Sequence, residues 1–192
     1  EGTSPETVVA PLLPEGTRLK GARVKRTAEG AFGSTVWTLR NGVRVVVKPT
    51  DFMTDQVCLY ARVPGGRSLL SDEEMLAAQV LDYYIGQTGV AESDAALLRK
   101  QLAGKTVRCW PGTGAYENGF SGTSSPKDVE TLLQLVYLYL AQPRFDGETF
   151  GVVMEQLRHS YRNRTADPSF RYGQEVNKTM YGGSPRRPYF CL

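Results

Sequence analysis

The sequence predicts an α+β fold, a two-layer sandwich in which a mainly antiparallel sheet carries helices on one face. Three observations lead there. Asn41-Gly42 stands between two β-rich runs, the strongest short-range hairpin signal. Val57, Leu59, Ala61 and Val63 alternate at a strand's period of two, and after Pro64-Gly65-Gly66 the apolar spacing changes to a helix's, with Met75, Ala78, Leu81 and Ile85. The whole chain then reads β-β-β-α-α-β-β-α-α-α, with hairpins before crossovers and helices clustered after strands.

Taken in order, residues 1–33 are rich in Pro, Gly, Thr and charge and have no sustained periodicity, so they read as a linker. Val8, Val9, Leu12 and Leu13 could pin part of it to a surface. Residues 34–192 form the domain. Its first strands are Val36–Leu39 and Val43–Val47, joined by Asn41-Gly42 in a type I′ turn in which both residues take positive φ. The Val57 strand follows. Ser71 and Glu74 make a capping box at the start of a helix that ends near Gly86 or Gly89, with Leu76, Val80 and Tyr84 widening its apolar face.

A second helix is expected from Ser93 to Ala103, with Arg99 and Lys100 favourably placed near its end. Lys105–Trp110 and the glycine-rich Gly114–Gly122 read as strands, the second anchored by Tyr116 and Phe120. Ser125 as N-cap and Pro126 at N1 open a third helix whose apolar face is Val129, Leu132, Leu133, Val136, Tyr137 and Leu140. Asp146 caps a fourth helix, with Phe150, Val153, Leu157 and Tyr161 on one face. Ser169–Tyr181 is a fifth, stopped by Gly182-Gly183, and the tail from Pro185 reads as extended.

Bulk properties exclude several classes. A net charge of +3 with scattered basic residues, apart from Lys20–Arg26 and Arg186-Arg187, argues against nucleic acid. No apolar run reaches the eighteen or so residues of a membrane-spanning helix. Cys58, Cys109 and Cys191 are odd in number and suggest no disulfide framework; Cys58 and Cys109, in strand contexts, read as small apolar residues. No signal peptide is read at Glu1, and both ends look like cuts within a longer polypeptide.

Candidate chemistry is sparse. His159 is the single histidine, one turn after Glu155, whereas a zinc site takes three or four ligands at fixed spacing. Ser124-Ser-Pro-Lys127 matches S-x-x-K at a helix start, which would make Ser124 a nucleophile and Lys127 its base, but neither accompanying element is present and a helix cap explains the same letters. Gly104-Lys105-Thr106 lacks the earlier glycine of a phosphate loop, and Gly119-Phe-Ser121-Gly122 lacks the final glycine of a nucleophile elbow. Asn163-Arg-Thr165 and Asn177-Lys-Thr179 fit the glycosylation pattern but fall in expected helices. Asp72, Glu73, Glu74, Glu92 and Asp94 fall in first helical turns, where dipole and capping account for them. From the residues alone there is no catalytic site and no metal site, and the substrate-binding residues are unknown.

The motifs Trp37–Thr50, Pro64-Gly-Gly-Arg-Ser68, Ser121–Leu132 and Ala141-Gln-Pro-Arg-Phe145, in that order, resemble the insulinase/pitrilysin-type zinc peptidases, the M16 family, and in particular its large bacterial members. The resemblance spans roughly Thr35 to Pro188. It implies two homologous halves closing like a clamshell around a peptide. The catalytic half has a His-x-x-Glu-His motif just after the third strand and a further glutamate about two helices downstream.

Here that place is taken by Asp72–Leu81, without a histidine, and the downstream region near Glu155–Ser160 offers one glutamate. The chain therefore resembles the first domain of the non-catalytic half, with residues 1–33 as inter-half linker. The resemblance further implies no cofactor in this segment, zinc in the catalytic half, and a bacterial periplasm or cell envelope location. The implied partners are that half within the same polypeptide and a peptide substrate, with no nucleic acid and no membrane span. Two alternatives remain at this point: a scaffold or core subunit partnering a separate catalytic chain, and a serine acyl-enzyme at Ser124/Lys127.

Overall fold

A computed structural model describes residues 10–184 and residue 186. Val8, Val9, Cys191 and most of the tail from Pro185 lie outside the described residues. The α+β class holds: among the described residues, four antiparallel strands are followed by two helices, then a β-hairpin, then three helices. The strands are β1 (Val24–Glu29), β2 (Thr35–Leu39), β3 (Arg44–Val47), β4 (Val57–Pro64), β5 (Val107–Thr113) and β6 (Glu117–Ser124). The helices are α1 (Asp72–Thr88), α2 (Ala95–Gln101), α3 (Val129–Ala141), α4 (Gly147–Thr165) and α5 (Pro168–Tyr181). The ladders are distributed over two three-stranded sheets, β1-β2-β3 and β4-β6-β5, rather than one. The first lies within a unit of residues 13–56; the second belongs to the unit built from Val57 onward.

In the 13–56 unit, β1 was not expected. Its residues Val-Lys-Arg-Thr-Ala-Glu are polar on both sides, so no apolar period of two marks it, and its order comes from pairing with β2. The β2–β3 turn also differs from expectation. Only Gly42 takes positive φ, at 88°, while Leu39 and Val43 close the loop and Gly42 N–H donates to Leu39 O at 3.1 Å. That is a three-residue loop with glycine in the left-handed position, a turn that needs one permissive residue instead of two.

In the second unit, β6 is central, and residues paired across it point to the same side. Leu59, Gly122 and Cys109 share one side; Tyr60, Ser121 and Trp110 share the other. The Gly122 side faces α3: a Cβ at Gly122 would lie 2.7 Å from Leu132 Cδ1. Glycine here lets the helix approach the central strand closely. On α3 the buried stripe is Leu132, Leu135 and Leu138, whereas Leu133 and Leu140, expected inward, are exposed. A helix that is apolar nearly all round offers more than one inward stripe, and its position over Gly122 selects one. Val129, Val136 and Tyr137 are half-buried.

The helix ends follow their caps. Ser71 Oγ accepts from Glu74 N and Glu74 Oε2 accepts from Ser71 N at 2.8 Å, and these bonds hold the Glu74 carboxyl below its ordinary range. Asp94, rather than Ser93, caps α2, accepting from Leu97 N at 2.7 Å. Asp146 caps α4 through Glu148 N and Thr149 N, and Gly182 closes α5 at φ 60°. The glycosylation-like Asn163 and Asn177 do lie in α4 and α5.

Candidate functional site

Two regions carry what chemistry the second unit has. One is the turn after β4 and the start of α1, the place where the resemblance puts a metal motif. Gly65 N–H donates to Tyr116 O at 2.8 Å, Arg67 N–H to Gly114 O at 2.9 Å and Ser68 N–H to Ala115 O at 2.8 Å. The Pro64-Gly-Gly-Arg-Ser68 turn is thus zipped, backbone to backbone, onto the β5–β6 hairpin tip. Gly66 sits at φ 65°, where an added Cβ would lie 2.6 Å from Gly114 O, so both its conformation and its lack of a side chain are used.

From this fixed start α1 runs with Met75, Ala78 and Tyr84 buried. Asp82 Oδ1 accepts from Thr113 N at 3.1 Å and ties the helix to β5. Leu81, expected inward, is exposed beside Ala77, Tyr84 and Phe150 along a groove of about 440 Å³ between α1 and α4. The same groove is where α1 meets the α4 cap. Tyr84 Oη donates to Asp146 O at 2.9 Å and accepts from Asp146 N at 2.6 Å, and its ring meets Phe150 edge to face with centroids 5.6 Å apart. Bonds from Thr149 N foremost, then Glu148 N and Arg144, hold the Asp146 carboxyl below its usual value.

These residues do not fit zinc. The segment Asp72–Leu81 has carboxylates only in its first turn, where Glu74 is committed to the capping box and Asp72 to an ion pair with Arg186 at 3.1 Å. Among the described residues no three His, Cys, Asp or Glu side chains converge as a metal cluster. His159 is exposed on α4, and Glu155 pairs with Arg158 at 2.6 Å. Neither is brought to α1 by any hydrogen bond or ion pair among the described residues.

The second region surrounds Ser124. Ser124 is buried at the end of β6 with an unpartnered hydroxyl, while Lys127 is exposed on the 3-10 turn that precedes α3. No hydrogen bond joins them, so the pairing an acyl-enzyme needs is not formed. Ser125, expected as an N-cap, makes no capping bond. Its Oγ donates instead to Asp128 Oδ2 at 2.6 Å, and Thr106 N–H donates to the same oxygen at 2.9 Å. Ser125 first, then Thr106, and then the nearby Lys127 and Lys105 charges hold the Asp128 carboxyl below its ordinary value. Lys105 itself donates to Thr131 at 2.8 Å. Gly104-Lys105-Thr106 is therefore a buttress for the start of α3, not a phosphate loop. The sequence places Asp128 near the positive end of the α3 dipole; its bond from Thr106, twenty-two residues earlier in the chain, is not legible there. Ser121, of the rejected elbow, lies exposed on the open side of β6.

The antiparallel β4-β6-β5 sheet with α1 and α3 packed on it has the fold seen in solved M16 zinc proteases. No protein-family model matches the chain. The particular likenesses are to large members of that family. The chain is 29% identical over 153 residues to the "Zinc protease PQQL-like" of Arabidopsis thaliana, covering 79% of this chain and 14% of that protein. It superposes on the ferredoxin protease FusC, solved in complex with Arabidopsis ferredoxin, with a TM-score of 0.72 at 22% identity, covering 94% of this chain and 20% of FusC. On the periplasmic protease PqqL of Escherichia coli the TM-score is 0.68 at 16% identity, covering 91% of this chain and 20% of PqqL. The chain thus spans a fifth or less of the proteins it matches. The resemblance to the M16 zinc peptidases read from the motifs is borne out by all three.

Proposed function

We propose that this chain is the non-catalytic first domain of the second half of an M16 zinc metallopeptidase, one wall of a chamber that encloses a peptide. The observation that carries the reading is α1: it occupies the helix that follows the Gly-Gly turn, yet it presents Met75, Ala78 and Tyr84 to the interior and no set of metal donors. A wall contributes by excluding water and positioning substrate rather than by supplying reacting groups. Exposed Phe145, Phe150 and Leu81 along the α1–α4 groove support a domain that meets other parts of a larger protein.

The relatives carry the matching part within one much longer chain, which supports a catalytic His-x-x-Glu-His half in the same polypeptide over a separate partner chain. Zinc then belongs to that half. That PqqL is a periplasmic protease supports a periplasmic or envelope setting. The inter-half linker, read from the sequence as residues 1–33, would on this reading lie before Val24, where β1 begins.

Elemental analysis and a peptide-cleavage assay on the purified chain test the reading. The expected result is no stoichiometric zinc and no hydrolysis. Zinc bound one to one, with cleavage by this chain alone, would overturn it.

A further inference from the structure

The zipped turn after β4 forms one wall of a pocket of about 180 Å³, and we infer that this pocket captures a carboxylate through Arg67. Arg67, Gln79, Tyr116 and Arg186 bring two guanidinium groups, an amide and a phenol to one place, over a floor that includes the buried Met75. Among the described residues no acidic side chain lines it.

The two arginines are not equivalent. Arg186 is already engaged, its Nε paired with Asp72 at 3.1 Å and an Nη donating to Leu70 O at 2.9 Å. The half-buried Arg67 guanidinium has no hydrogen-bond or ion-pair partner among the described residues, nor do the Gln79 amide and the Tyr116 hydroxyl. A planar cation with paired N–H groups matches a carboxylate's two oxygens, and Arg is favoured where such bidentate recognition is built.

The site is also preorganised. The three backbone bonds from Gly65, Arg67 and Ser68 fix the turn on the hairpin that carries Tyr116. Little chain entropy is therefore left to lose when a ligand arrives.

A carboxylate reaches a peptide-enclosing wall either as a chain terminus or as an Asp or Glu side chain. That choice of ligand rests on the chamber-wall reading; the pocket's affinity for a carboxylate does not. The test is fluorescence polarisation of the full chain with one labelled hexapeptide of neutral side chains in three forms: a free C-terminus, an amidated C-terminus, and an amidated C-terminus with one internal glutamate. At least one carboxylate form is expected to bind, weakening with added salt, and the neutral amide is expected not to. Which of the two binds identifies the source.

Arg67→Gln should weaken binding on the order of ten- to hundredfold, the range for a lost charge-assisted hydrogen bond. Arg67→Lys should retain part of it, and Tyr116→Phe should cost only a few-fold. Titration of the wild-type chain with acetate, followed by the Arg67 Nε–H resonance, reads the same contact without a variant that might misfold; a saturable shift is expected. Equal binding of all three peptides, binding of none, or full affinity in a folded Arg67→Gln overturns the site. None of these readings depends on whether the parent protein cleaves peptides, so either idea can fail without the other.

Discussion

Sheet β4-β6-β5 and sheet β1-β2-β3 have the same number of strands and the same antiparallel pairing, and they differ in what covers them. The first has α1 and α3 against one side, with Leu132, Leu135 and Leu138 at or near zero exposure. In residues 13–56 only Ser34 is buried, and Trp37, Val24, Val46 and Val47 all remain substantially exposed although their residue types favour strands. Strand propensity therefore sets where a ladder forms, while burial against a helix sets how much that ladder stabilises.

The largest test of the contrast is Leu132→Ala. Removing a fully buried side chain over the central strand should cost about 2–5 kcal/mol in denaturant unfolding. A value under 1 kcal/mol would mean that α3 does not hold the core. Next is Gly119→Ala, whose added Cβ would run into the Ala61 carbonyl. Overpacking of this kind costs about 1–3 kcal/mol. Amide exchange should show the loss in β4 and β6 and leave β1–β3 unchanged.

Third, Asp128→Ala removes the acceptor shared by Ser125 and Thr106 and should lower Tm by roughly 5 °C at neutral pH. The folded-state pKa of Asp128 is depressed below its ordinary 3.8, so its contribution is whole above that value and fades as pH falls through the lowered one. The variant's deficit should therefore shrink in acid; a deficit independent of pH would assign it to packing. The smallest effect belongs to Val46→Ala, at 56% exposure, with a change within about 0.5 kcal/mol. A large loss there would show that β3 is covered by something in solution.

What could be read from the sequence was whatever is encoded within a few residues. The Ser71/Glu74 box, the Asp146 cap and the Gly182 stop are local, and each sits where expected. So does the absence of histidine from α1, which carries the functional reading. What could not be read depends on partners distant in the chain. β1 is ordered by β2 rather than by its own pattern, the Asp128–Thr106 bond spans twenty-two residues, and the inward stripe of α3 is set by a glycine on β6. The carboxylate pocket joins residues from a turn, a helix, a hairpin tip and the chain's last described residue, so no sequence window contains it.

The two described cysteines differ in reactivity. Cys109, on the helix side of β5, is pushed up to about 11 by burial, so its reactive thiolate is scarce at neutral pH. Cys58 stands exposed on the opposite side of the sheet. In a chain carrying Cys191→Ser, a maleimide dye should therefore report on one side of this sheet while Cys109 stays silent, giving an optical handle on whatever comes to lie against Tyr60 and Trp110.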